Sequence, residues 1–387
     1  MKLYIGMDVD KDKCIITSLD KNGEQIDQYR IENNSTEIER FIQKTPRNAE
    51  IALESSTCSK PIYQQLKKHG MKVHMAAPGK ISLISKSKKK TDPNDSRLLA
   101  DLLRLGYLPE SYVPNDEIEN LRKLVRYRRS LGEKRTVVKN QVHAILMRNG
   151  IKHGFSDLFG RDGTRFLKNQ SLPLTEQTIL EGGLREIGFL YEESHVMDLR
   201  LAEIAMEYKD VRLLMSIPGV GYYSALVIIS EIGDISRFPC AKKLVGYAGL
   251  APRVYQSGNI KRYGRISKDG PSILRWVLTI AAEGAIKKSG KLKRFHARLN
   301  KHIGYSKAVV ATARKLLIII FHMLTNGVKY EERDDDLTHR KIRMMETKSK
   351  RMKRLKDKKT PISEKHKKLM NKGMKMLINS DSDANLG

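Results

Sequence analysis

The chain has 387 residues, enough for two or three domains of roughly 100 to 200 residues with real cores, which excludes a stapled mini-protein. Lys and Arg number 73 against 44 Asp and Glu, a net charge of +29, and such a surface seeks polyanions. Cys14, Cys58 and Cys240 are scattered and form no C-x-x-C pair, which excludes a disulfide framework and a zinc cluster; no apolar run reaches the roughly 18 residues of a membrane span. The expectation is a chain of the reducing cytoplasm, with no signal peptide and no membrane partner.

In chain order, residues 2–9, 14–19 and 25–31 are short β-prone runs divided by Asp/Lys and Asn-Gly turns, which predicts an antiparallel meander. Ser35 is the expected N-cap of a helix over 36–43; Glu50 to Glu54 reads as a buried strand, 61–69 as a helix and 72–76 as a strand. The order is β-β-β-α-β-α-β. A basic stretch at 86–90 follows, and Asp92-Pro93 opens a helix through Leu98, Leu99, Leu102 and Leu103.

Residues 115–148 read as one long helix with nine Lys/Arg against four acids, among them Arg122, Lys123, Arg126, Arg128 and Arg129. A solvated face and a positive rail for phosphates are both open. Residues 150–173 predict a loop. Ile187, Leu190, Met197, Leu201, Ile204 and Tyr208 then form a heptad seam with Ser194 as its polar position, able to pair within the chain or between chains. A second compact unit is expected over 211–330. Residues 338–377 hold 16 Lys/Arg and three acids with no aromatic, so the segment from 331 to 387 reads as a basic tail, disordered or at most an isolated helix, that orders on nucleic acid.

Asp8 lies on the first strand, on the face of Tyr4 and Gly6 and opposite Leu3, Ile5 and Met7; a carboxylate inside an apolar strand asks for a reason. Glu54 ends the fourth strand, and Asp92 and Asp95 share a face of a helix start. Taken singly, Asp92 and Asp95 are helix caps and Glu54 a strand-end polar residue. Together, the four supply hard oxygen ligands for Mg²⁺ or Mn²⁺, the chemistry of phosphoryl transfer on nucleic acid. Asp10 and Asp12 read as turn residues.

These elements resemble the ribonuclease H-like fold of RuvC-type junction resolvases. Gly6-Met-Asp8, Leu53-Glu54-Ser55 and Lys90-Thr-Asp92-Pro-Asn-Asp95 more closely resemble the DEDD transposases of the insertion-sequence-one-hundred-ten family. Downstream, Ser216-Ile-Pro-Gly219-Val-Gly221 has the form of a helix-hairpin-helix, whose Gly219 and Gly221 turn could offer N–H groups to a phosphate or simply join two helices. Gly246 to Arg253, Gln256-Ser257-Gly258, Tyr263 to Gly270 and Leu274-Arg275 are similar to the family's transposase domain.

The resemblance implies the following expectations. The fold is α/β plus α: a RuvC-like DEDD domain over 1–110, a basic helical and coiled-coil linker over 111–210 and a mostly helical transposase domain over 211–330; the tail lies outside the resemblance. Ser257 is the nucleophile, with Ser267 its nearest rival, and Arg253, Lys261, Arg262, Arg265 and Lys268 line the nucleic acid. The activity is transposition by cutting and rejoining DNA through a phosphoserine intermediate. The partners are DNA, a non-coding bridge RNA and further copies of the chain in a dimer or tetramer, at the prokaryotic nucleoid. The residues alone leave two rivals: a metal-dependent nuclease or junction resolvase that uses water, and a non-catalytic nucleic-acid-binding protein.

Overall fold

The computed structural model describes residues 2–77, 79–81, 92–257, 260–288 and 290–357. The basic stretch at 86–90 and the end of the expected tail lie outside them. The chain divides into two compact units, Met1–Val113 and Pro114–Gly387.

The first unit is a five-stranded sheet, β1 (Tyr4–Val9), β2 (Lys13–Leu19), β3 (Gln25–Glu32), β4 (Glu50–Glu54) and β5 (Lys72–Ala76), in the order β3-β2-β1-β4-β5. The meander β1-β2-β3 is antiparallel, and β4 and β5 continue parallel to β1. Alternation along β1 sends Ile5, Met7 and Val9 into a core with α1 (Ser35–Lys44) and α2 (Ser59–Lys68), through Ile38, Phe41, Ile42, Ile62 and Leu66. The other face, with Ala52 and Ala76, receives Leu99 and Leu103 of α3 (Asp92–Arg104). The α1 cap is Asn34, whose side chain accepts from the Glu37 N–H, one residue before the expected Ser35.

The second unit is built on two long antiparallel helices, α4 (Asp116–Arg148) and α6 (Leu174–Ala205), joined through α5 (Arg161–Lys168), where the sequence predicts only a loop. Ile187 and Leu190 of the heptad seam close on Leu131, Val138 and Val142, and Leu201 closes on Leu121 and Val125, so the seam pairs within the chain. The chain continues through α7 (Lys209–Leu214), α8 (Tyr222–Ile232), α9 (Ala241–Tyr247) and a two-stranded antiparallel ribbon, β6 (Pro252–Ser257) and β7 (Ile260–Ile266). Three helices follow: α10 (Ser272–Lys288), α11 (Gly290–Ile303) and α12 (Tyr305–Asn326). Helix α12 is long and apolar enough to cross a membrane, but Ala308, Val309, Leu316, Leu317 and Ile320 bury it as the core helix of this unit.

The expected disordered tail is corrected in its first part. Asp335–Asp357 form a helix, α13, with Thr338, Met345, Ser349 and Met352 buried and Met345 in the main core of the unit. These residues recur at three and four positions, the spacing of a helix face, and that periodicity outweighs the basic composition.

Candidate active site

Gly6 sets the geometry of the first unit. A Cβ there would fall 1.9 Å from the Ser96 carbonyl oxygen and 2.6 Å from the Ala100 nitrogen, so only glycine lets the α3 backbone lie directly on β1. Ser96 is fully buried and bonds the Thr17 hydroxyl at 2.7 Å, on the β2 residue that pairs with Gly6. Gln28, one strand further out, donates to Thr17 at 2.9 Å and to the Pro93 carbonyl at 3.1 Å. The other end of α3 reaches the β2–β3 turn, where the Arg104 guanidinium packs at Gly23 and donates to the Lys21 carbonyl. Helix α3 therefore runs antiparallel to β1.

This direction decides where the acids fall. Residues preceding Ser96 lie on the Asp8 side of Gly6. At about 1.5 Å per helical residue and about 3.3 Å per strand residue, the four residues back to Asp92 span the same ~6 Å as the two from Gly6 to Asp8. Gly6 pairs with Ala52 in the parallel β1–β4 ladder, so Asp8 and Glu54, two residues on in each strand, occupy one face of adjacent strands about 4.8 Å apart. The carboxyl ends of parallel strands are where α/β sheets bind ligands. Past Glu54 the chain is fixed: Ser59 donates to the Glu54 carbonyl, and the Ser56 and Ser59 hydroxyls bond at 2.6 Å.

Asp8, Glu54 and Asp95 are each partly buried. Among the described residues no three potential ligands form a closed cluster, and the Asp92 side chain lies outside them. The donor set itself, carboxylate oxygens at a strand end and a helix start, fits a hard divalent cation such as Mg²⁺ or Mn²⁺. Thr17, Gln28 and Ser96 escaped the sequence reading, although a Thr within an apolar strand and a Ser on the apolar side of a helix mark such buried bonds.

In the second unit Ser257 ends β6 and pairs with Ile260, so it stands at the tip of the ribbon; its side chain and that of Lys261 lie outside the described residues. Directly opposed residues share a face, which puts Tyr255, Ile260 and Arg262 on one side and Val254, Gln256 and Tyr263 on the other. Arg253, Tyr255, Arg262, Tyr263, Arg265 and Lys268 are exposed. The rival Ser267 sits at the ribbon base, its N–H bonded to the Ala251 carbonyl and its hydroxyl accepting from the Asp269 N–H. There Lys268 takes a positive φ of 60°, and one Arg275 guanidinium nitrogen donates to the carbonyls of Ala248, Asp269 and Gly270.

The basic residues named on α4 have protein partners. Arg126 makes paired bonds of 2.8 and 2.9 Å to the fully buried Glu231, and Arg122 donates to the Ser230 carbonyl beside it. Arg128 clamps Asp198 at 2.7 and 3.1 Å; Arg129 bonds Glu133 and stacks 4.2 Å from the Trp276 ring. Lys123 is exposed and faces Glu119 at 3.8 Å. Arg122 and Arg126 thereby tie α4 to α8, and Arg128 ties it to α6. Gly219 takes φ +88°, and a Cβ there would meet the Ala281 carbonyl at 2.6 Å and Gly284 at 2.8 Å, so the turn packs on α10, while Gly221 opens α8 without a side-chain cap. The Lys341 ammonium binds the Met215, Ile217 and Val220 carbonyls of the same turn, and Ser216 accepts the Tyr330 N–H.

A DEDD transposase model of the IS110 type matches residues 5–149, covering Asp8, Glu54, Asp92 and Asp95, and the model of the IS116/IS110/IS902 transposase family matches residues 211–299, covering the ribbon. The chain belongs to the IS110-family DEDD transposases. Relatives of this transposase align with 72 to 84% of it. The Coxiella burnetii transposase for insertion sequence element IS1111A is 25% identical over 84% of this chain and 90% of its own. A probable family 20 transposase of Pseudomonas aeruginosa is 23% identical over 84% and 98%. A putative transposase of Sinorhizobium fredii is 27% identical over 72% and 70%. The transposase is accordingly a DNA-processing enzyme, of a family whose acidic set points to divalent metal.

Proposed function

We propose that this transposase is a site-specific recombinase of its mobile element, cutting and rejoining DNA through Ser257, with Asp8, Glu54, Asp92 and Asp95 holding Mg²⁺ or Mn²⁺ on a ribonuclease H-like sheet. The observation that carries the reading is the close approach at Gly6, which brings the start of α3 to the strand ends bearing Asp8 and Glu54. When bound, the divalent ion supplies charge stabilisation to the phosphoryl group and its attacking and leaving oxygens. The Ser257 Oγ forms a bond to phosphorus as a phosphorus–oxygen bond to a DNA sugar breaks; the serine proton passes to water and the departing sugar oxygen takes one up. The phosphoserine ester conserves the bond, so a DNA hydroxyl reseals the strand without external energy.

The exposed Arg253, Arg262 and Arg265 suit the phosphates around Ser257, with Lys261 and Lys268 nearby in sequence, and the exposed Tyr255, two residues before Ser257, suits stacking on a base. The family resemblance extends the proposal to selection of donor and target sites by a bridge RNA, and to a dimer or tetramer.

The test is denaturing electrophoresis of protein incubated with labelled element-end DNA, flanking RNA and Mg²⁺. Wild type yields a protease-sensitive DNA adduct, and neither Ser257→Ala nor Asp8→Ala does. Cut DNA without an adduct, undiminished in Ser257→Ala, replaces this reading with hydrolysis by water.

A further inference from the structure

Helix α13 has two unlike faces. Inward, Thr338, Met345, Ser349 and Met352 are buried, Lys341 is fixed to the carbonyls of the 215–220 turn, and Lys348 donates to the Tyr222 hydroxyl at 3.1 Å. Outward, Arg340, Arg343, Lys350, Arg351 and Arg354 are all exposed. At about 100° per residue these five fall within an arc of roughly 100°, opposite the Met345 and Met352 side. Their row is about 21 Å long.

The null expectation for a charged helix face is a solvated mixture of signs. Helix α4 shows the alternative that the fold uses for support, with Arg122, Arg126, Arg128, Arg129 and Arg148 each facing a carboxylate. On the α13 row, among the described residues, none of the five cations is in an ion pair, and Glu346, the helix's one acid between 340 and 354, leaves the row to meet Arg212. Like charges three and four residues apart oppose helix formation, so the row works against folding. Its inner face holds it rigid all the same.

We propose that the outer face of α13 is a docking rail for the phosphates of duplex DNA. A duplex presents about one negative charge per 1.7 Å of axis, a polyanion matched to a straight row of cations. The described helix has no Phe, Tyr or Trp on which an unpaired base could stack, which favours a regular duplex over looped RNA. The proposal rests on the reading of the chain as a DNA-processing enzyme. It is tested without chemistry, so that a failure of the Ser257 mechanism leaves the result interpretable.

The experiment is binding of the full chain to a labelled element-end duplex in EDTA, as a function of salt. The variant is Arg340→Gln/Arg343→Gln/Arg351→Gln/Arg354→Gln. The control is the equally neutralised Lys152→Gln/Arg161→Gln/Arg165→Gln/Lys168→Gln, whose residues are exposed around α5. We expect the slope of log affinity against log salt to become shallower by about three to four in the variant and by less than one in the control, at roughly 0.9 per phosphate lost. Affinity near physiological salt should fall more than tenfold, with the melting temperature at or above the wild-type value. Should the fourfold variant melt early, the pairs Arg340→Gln/Arg343→Gln and Arg351→Gln/Arg354→Gln should each give about half the slope change. An unchanged slope, an equal change in the control, or a loss confined to binding of the flanking RNA overturns the proposal.

Discussion

Glu231 lies fully buried within the apolar run of α8 and accepts from Arg126, a residue that composition alone would spend on phosphate. Removing one partner of a buried ion pair leaves a charge that neither water nor protein solvates. Arg126→Ala is therefore expected to cost about 3 kcal/mol in denaturant unfolding, the low end for such pairs because Arg122 remains 3.8 Å from Glu231. The salt slope of DNA binding by the folded variant should stay at the wild-type value; a full-stability variant with a shallower slope would favour a phosphate rail on α4. A net charge counts cations but does not say what each one faces. A better signal was present in Ser-Ala-Leu-Val-Ile-Ile-Ser-Glu231, since an acid inside such a run needs an internal partner.

Helix α13 shows how the same ambiguity acts on a whole element. Its Lys content reads as disorder, whereas Ile342, Met345, Ser349 and Met352 lie at helical spacing and dock it. Lys341 carries a pH signature of that docking. Burial pulls its ammonium down to about 8 from an ordinary 10.5, against the opposing influence of Asp334, while three carbonyls hold it as a donor. Between those two values the unfolded chain binds more protons than the folded one, so stability rises with pH through that window. Urea unfolding should show wild type gaining stability relative to Lys341→Met as pH goes from about 8 toward 10; a constant gap would mean that the ammonium titrates normally. The ribbon β6–β7 was hidden for another reason. It lies in a domain expected to be mostly helical, and what fixes its flanks is a side chain remote in sequence from Ala248, Arg275, bound to three carbonyls.

For the molecule as a whole, the first unit was legible because its strands alternate and its turns carry Asp, Asn and Gly; the observed order is the expected β-β-β-α-β-α-β followed by α3. Asp8, Glu54 and Asp95 could be named from the chain, but the placement of the start of α3 against β1 could not, since it depends on α3 lying flat on Gly6 and on the Ser96–Thr17–Gln28 bonds. The second unit was legible as helices and opaque in its joints, where single polar side chains decide which surfaces meet. The family match covers the strand ends of the first unit, where we propose that the chemistry is seated. The most direct measurement is Mn²⁺ binding to the full chain, followed by the loss of the free-ion paramagnetic signal. Wild type should bind, and Asp8→Asn, Glu54→Gln and Asp95→Asn should each lose affinity at least tenfold. So should Gly6→Ala, which removes no ligand but displaces α3, whereas Glu37→Gln on the opposite face should bind as wild type does. Equal Mn²⁺ affinity across all five variants would contradict a single carboxylate site at this sheet end.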